Sequence, residues 1–158
     1  MYRIGIGSDI HRLAKGRPLV IGGVRIESDL GAEGHSDADV LCHAICDAIL
    51  GALALGDLGT HFPNDEERWR NAESFVFVRY VVGLMKERGY AVANLDSTVH
   101  LETPKLRQYI EDIKTGLVDV LEADIASISV KAKTGEAVDA VGERRAVRAD
   151  VIVLLRFE

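Results

Sequence analysis

Cysteine is scarce in this chain: Cys42 and Cys46 are the only two, four residues apart. So small a number in 158 residues excludes a disulfide scaffold, and no further cysteine exists to complete a thiolate metal site. Both read as small buried core residues. An excess of positive charge is also missing. Nineteen Lys and Arg face twenty-five Asp and Glu, for a net charge of -6. A protein that grips nucleic acid by its phosphates shows a basic face. Here the only local basic group is Arg144, Arg145 and Arg148, with acidic neighbours, so no nucleic-acid partner is expected. No apolar run approaches the ~20 residues of a membrane span, and Met1-Tyr2-Arg3-Ile4-Gly5 reads as a strand rather than a signal peptide. A cytoplasmic protein without a membrane partner is expected. Repeats, linkers and low-complexity stretches are absent too. What remains is 47% hydrophobic and 28% charged residues, the balance of one globular domain over residues 1–158.

Residues 2–11 alternate with period two: Tyr2, Ile4, Ile6, Ser8 and Ile10 share one face, and Arg3, Gly5, Gly7, Asp9 and His11 the other. Leu19-Val20-Ile21 and Val24-Arg25-Ile26 flank Gly22-Gly23, which predicts a hairpin. A long apolar helix is predicted over 37–55, capped by Ser36 or Asp37, and a second over roughly 71–88 with Phe75, Val78, Val82 and Met85 inward. A strand is predicted at about 93–102. Thr103-Pro104 then looks like the N-cap and first turn of a third helix running to about 121. Residues 126–134 and 146–157 read as strands. Strand, helix and strand from 93 to 134 suit a right-handed parallel crossover. The expected fold is α/β (α+β): a mixed sheet with helices on one face and a β-hairpin near the N-terminus. Its bare sheet face needs a partner, so an oligomer is expected.

Asp9 and His11, two apart on a strand, project together. On the apolar helix, Asp39, His43 and Asp47 form a stripe with spacing four. His43 is either a core histidine bonded to Asp39 or Asp47, or a metal ligand oriented by a carboxylate behind it. One Asp and two His with a fourth place open suit catalytic zinc. Gly34-His35-Ser36 precedes the helix, where amides and a hydroxyl suit an anion. Ala132-Lys133-Thr134-Gly135-Glu136 ends a strand, with a lysine and hydroxyl suited to phosphate and a glutamate suited to a hard cation. Thr103-Pro104-Lys105 has a similar character. His61 and His100 have no obvious partners.

Taken together these pieces resemble the 2-C-methyl-D-erythritol 2,4-cyclodiphosphate synthase family. The resemblance rests on Gly7-Ser8-Asp9-Ile10-His11, Ile21-Gly22-Gly23-Val24, the block from Gly34-His35-Ser36-Asp37-Ala38-Asp39 through His43, Asp47 and Gly56-Asp57-Leu58-Gly59 to His61-Phe62-Pro63, then Pro104-Lys105 and Val130-Lys131-Ala132-Lys133-Thr134. It implies that 4-diphosphocytidyl-2-C-methyl-D-erythritol 2-phosphate is cyclised with release of CMP. By the same resemblance, Asp9, His11 and His43 bind zinc, with Asp47 behind them. Glu136 lies near a second ion, magnesium or manganese. His35 and Ser36 meet a phosphate, Asp57 and Gly59 hold the methylerythritol hydroxyls, and Asp65 sits in a covering loop. Thr103, Pro104, Lys105 and Leu106, with Ala132, Lys133 and Thr134, form the cytidine pocket. His35, Ser36, Lys133 and Thr134 are the expected catalytic group. The family implies a homotrimer with sheets facing the trimer axis and active sites between subunits.

Two departures stand out. Lys133-Thr134 replaces a frequent Thr-Thr. Gly142-Glu143-Arg144-Arg145 replaces Gly-Arg-Gly-Glu, and this exchange counts against a ligand on the trimer axis. A metal-dependent phosphohydrolase and a cytidine-nucleotide-binding protein stay open as alternatives.

Overall fold

The computed structural model describes residues 1–63 and 66–158. The first strand, β1, spans Tyr2–Ala14. The hairpin of β2 (Leu19–Ile21) and β3 (Val24–Ile26) follows as its own two-stranded sheet, with Leu19 opposite Ile26. Gly22 and Gly23 both take positive φ, 58° and 75°, the turn that matches strand twist. After β4 (Gly31–Ala32) come helices α1 (Val40–Ala52), α2 (Leu58–His61) and α3 (Ser74–Glu87). Strand β5 (Tyr90–His100), helix α4 (Ile110–Leu121), strand β6 (Ile128–Lys133), the short helix α5 (Asp139–Gly142) and strand β7 (Ala146–Phe157) complete the chain.

The main sheet has the order β4-β1-β7-β5-β6. It is mixed: β7 runs antiparallel to β1 and β5, and β5 runs parallel to β6 across the α4 crossover. Among the described residues no helix is long and apolar enough to cross a membrane.

Helix α1 packs on β1 and β7, and its burial is nearly complete. The glycine face of β1 is what admits it. A Cβ on Gly5 would stand 1.9 Å from the Ala48 carbonyl oxygen, and one on Gly7 2.0 Å from that of Ala44. Helix backbone therefore lies directly on strand backbone, over small residues of α1. The price is that the isoleucine face of β1 points outward: Ile4 is 72% exposed, Ile6 73% and Ile10 56%. Ile152 on β7 pairs with Ile6 and extends this bare apolar face.

Several boundaries differ from the sequence expectation. Helix α1 begins at Val40, and its cap is Asp39 rather than Ser36 or Asp37. The Asp39 carboxylate accepts from the amides of Leu41 and Cys42 and also from those of Gly22 and Gly23, so one side chain caps the helix and anchors the hairpin. Thr103 caps no helix. Residues after it form a 3-10 turn, Leu106–Tyr109, before α4 starts at Ile110. On α3, Phe77 is buried while Phe75 is half-buried against Gly23. Both cysteines are free and fully buried, and burial pushes both thiols well above their usual range.

Candidate active site and metal centre

Asp9 and His11 lie on the same face of β1 as Gly5 and Gly7, so both project toward α1. His43 stands one turn into α1, beside Ala44, the residue whose carbonyl presses on Gly7. The close strand–helix contact brings the three side chains together. Asp9 Oδ2 is 2.9 Å from His11 Nε2 and 3.0 Å from His43 Nδ1, and the two ring nitrogens are 3.1 Å apart. All three ligand atoms lie within 4.8 Å of one another.

The donors fit a divalent metal. Tetrahedral zinc with bonds of ~2.0–2.2 Å separates its ligand atoms by roughly 3.3–3.6 Å, close to the spacing here. The ring orientations agree. His11 Nδ1–H donates to the Glu33 carbonyl at 3.0 Å, which leaves Nε2 facing the cluster. His43 turns Nδ1 inward and Nε2 toward two hydroxyls, Ser36 Oγ at 3.1 Å and Ser74 Oγ at 3.0 Å. Charge is shared strongly. Burial pushes the Asp9 carboxyl up, but the hydrogen bonds and charges of His11 and His43 outweigh it and hold Asp9 well below the usual range. Burial pulls His11 down, and Asp9 overrides that and raises it.

The cluster opens into a cavity of about 460 Å³ lined by Asp9, His11, Gly34, His35, Ser36, His43, Asp47, Asp57, Leu58, Gly59, Phe62, Trp69 and Phe77. Two backbone bonds hold the His35–Ser36 segment: Asn71 N–H donates to the His35 carbonyl at 2.8 Å, and Asp37 N–H to that of Ala72 at 3.0 Å. Asp57 caps α2 by accepting from Thr60 N–H and Oγ–H, and this lowers its carboxyl. Asp47 accepts from Leu58 N–H at 2.7 Å, tying α1 to the Asp57–Gly59 turn, and burial raises its carboxyl.

The other expected site residues lie elsewhere. Lys105, Leu106, Ala132, Lys133 and Thr134 line a second cavity, and Thr103 and Pro104 a third with Arg144. Glu136 accepts a hydrogen bond from Thr134 Oγ at 2.6 Å. Among the described residues, these cavities share no lining residue with the Asp9 cavity. Asp65 lies outside the described residues. Arg145 pairs with Glu143 and Arg144 with Asp29, so both arginines of the altered segment have an acidic partner within the chain.

Three expectations about polar partners change. Asp39 is spent on four amides, and the outer nitrogen of His43 faces Ser36 and Ser74 rather than Asp39 or Asp47. His61 and His100 do have partners, the Leu55 carbonyl and Asp150, both at 3.1 Å. The sequence pattern does not single out Ser74, Asp37 or the aromatic wall of Phe62, Trp69 and Phe77 as site residues. Only Phe77 carried a local signal, sharing the inward stripe of α3 with Val78 and Val81.

The profile of the YgbB family matches residues 2–156. The chain belongs to the YgbB family. It is 50% identical over 153 residues to the 2-C-methyl-D-erythritol 2,4-cyclodiphosphate synthase of Solibacter usitatus, covering 97% of this chain and 96% of that one. Among solved structures, one 2C-methyl-D-erythritol-2,4-cyclodiphosphate synthase superposes with a TM-score of 0.90 at 38% identity, covering 98% of this chain and 100% of that one. The IspF of Plasmodium falciparum in complex with CDP superposes with a TM-score of 0.87 at 35% identity, covering 99% and 97%. For a YgbB family member, the convergent Asp9, His11 and His43 suit a divalent-metal enzyme.

Proposed function

We propose that this chain is a 2-C-methyl-D-erythritol 2,4-cyclodiphosphate synthase that cyclises 4-diphosphocytidyl-2-C-methyl-D-erythritol 2-phosphate and releases CMP. One observation carries the reading: Asp9, His11 and His43 converge at the edge of a cavity that also holds His35, Ser36, Asp57 and Gly59. An oxygen of the 2-phosphate bonds to the β-phosphorus. The bond from that phosphorus to the bridging oxygen breaks, and CMP leaves with the electron pair. No water enters the balance.

Zinc is the metal proposed for Asp9, His11 and His43, and magnesium or manganese for a second site near Glu136. When bound, these ions supply charge neutralisation and a clamp for two phosphates that otherwise repel. The protein's own task is positioning. His35 and Ser36 hold phosphate oxygens. Asp57 and Gly59, braced by Asp47, take the methylerythritol hydroxyls, and Phe62, Trp69 and Phe77 exclude water beside them. Asp65 is proposed to belong to the covering loop.

Thr103, Pro104, Lys105 and Leu106, with Ala132, Lys133 and Thr134, are proposed to hold the cytidine diphosphate part, with Lys133 and Thr134 touching the reacting phosphates. These residues line cavities separate from the Asp9 cavity within one chain. A homotrimer resolves this by completing each site with a neighbour's residues. The bare face of Ile4, Ile6, Ile10 and Ile152 supports such an assembly around an axis.

Phosphorus NMR of the protein incubated with substrate, zinc and magnesium tests the reading. Coupled ring-diphosphate signals with equimolar CMP, lost on chelation, are expected. CMP with an open-chain bisphosphate would make the protein a phosphohydrolase. Tight nucleotide binding without turnover would make it a binding protein.

A further inference from the structure

The outer nitrogen of His43 meets two hydroxyls, and a hydroxyl either donates or accepts. Ser36 and Ser74 alone therefore leave open whether Nε2 carries a proton. Asp37 decides it. Ser74 Oγ–H donates to Asp37 Oδ1, and Ser74 N–H donates to Asp37 Oδ2 at 2.9 Å. An ionised carboxylate only accepts. With its own proton committed to Asp37, Ser74 has only acceptor capacity left for His43 Nε2, 3.0 Å away. Ser74 is 1% exposed, so water does not compete for this contact.

We infer that Asp37, acting through Ser74, keeps a proton on His43 Nε2, so that Nδ1, which faces Asp9 Oδ2 at 3.0 Å, is the nitrogen that a metal would take. Asp37 and Ser74 are thus positioning residues for the metal ligand, joined across the start of α1 and the start of α3. The arrangement mirrors His11, whose ligand nitrogen is set by the Glu33 carbonyl, but uses a carboxylate and a relaying hydroxyl instead. Ser36 also benefits. Its Oγ accepts from Ala38 N–H at 3.2 Å and is relieved of donating to His43. Its own proton is left for an anionic oxygen in the cavity that it lines.

The inference rests on the metal reading of Asp9, His11 and His43, and the test separates the two. Histidine imidazoles are labelled with nitrogen-15 in the full-length protein, and the presence of a proton on His43 Nε2 is read without metal. Zinc affinity is then measured by chelator competition for the wild type, Ser74→Ala, Ser74→Thr and Asp37→Asn. Expected are a proton on Nε2 of wild-type His43, a ~10–100-fold loss of zinc affinity in Ser74→Ala and Asp37→Asn, and recovery in Ser74→Thr, which restores the hydroxyl. A bare Nε2 in the wild type overturns the inference, and so does unchanged zinc affinity in a folded Ser74→Ala. If Ser74→Ala does not fold, the wild-type Nε2 measurement alone decides. Failure of the wild type to bind zinc defeats the metal reading instead, and the Nε2 measurement still stands by itself.

Discussion

Asp9 Oδ2 and His43 Nδ1 lie 3.0 Å apart although the two residues are 34 positions apart in the chain. Strand β1 supplies one and helix α1 the other, and their close packing sets the distance. Replacing His43 with Ala is expected to abolish zinc binding and turnover while the fold persists, since the ring faces the cavity rather than filling the core. Metal analysis alongside circular dichroism checks this. Full zinc stoichiometry in His43→Ala would remove it from the ligand set.

Gly7→Ala is expected to destabilise the protein by at least ~1–3 kcal/mol, because the added methyl has nowhere to go but into the Ala44 carbonyl. The same displacement moves His43 away from Asp9, so zinc affinity is expected to fall as well. Gly51→Ala is the control. Its added Cβ meets nothing closer than the Ile6 carbonyl oxygen at 3.8 Å, and helix propensity favours alanine there by roughly 1 kcal/mol. Denaturant unfolding of both variants, with zinc titration, separates the effects.

The Asp9–His11 pair makes the metal-free protein sensitive to pH. Asp9 is held below its unfolded value of about 3.9, so its contribution is present above that value and is lost as pH falls through the folded pKa. His11 is raised above about 6.5, so its contribution is full below that value and is lost as pH rises through the folded pKa. The pair therefore stabilises the metal-free chain most in the mildly acidic window between them. Zinc needs His11 unprotonated, so its affinity is expected to climb with pH through that folded pKa, with proton release. Thermal unfolding of chelated wild type and Asp9→Asn across this range is the check. Profiles of the same shape would show that the pair is uncoupled.

Ile6→Glu places a charge at the centre of the bare sheet face, opposite Ile152. Light scattering is expected to report loss of the proposed trimer. Zinc binding is expected to survive, because Asp9 and His11 occupy the other face of β1. Turnover is expected to vanish if the cytidine residues come from a neighbour. An active monomer would place the whole site within one chain.

Much of this was legible in the amino-acid order. Period-two alternation marked β1, Gly22-Gly23 marked the hairpin, and the Asp-x-His pair with a lone imidazole on an apolar helix marked the candidate ligands. Less legible were the ends of helices. Asp39 outcompeted Ser36 and Asp37 as the cap because its carboxylate also meets the Gly22 and Gly23 amides, a tertiary contact that capping preference does not contain. The partner of His43 was equally hidden. Spacing by four nominated Asp39 and Asp47, yet Ser74 reaches the ring from another helix.

By itself, the sequence determined the main strands and helices, the candidate ligand types and the family, because these follow from local periodicity and from motifs held in one order. Tertiary structure decided which face of β1 is buried. Alternation alone would send the isoleucines inward, but only the glycine face lets α1 approach closely enough to press its backbone on the strand and to set His43 against Asp9. That choice depends on a helix packing against a strand across more than thirty residues of intervening chain, and no local pattern encodes it.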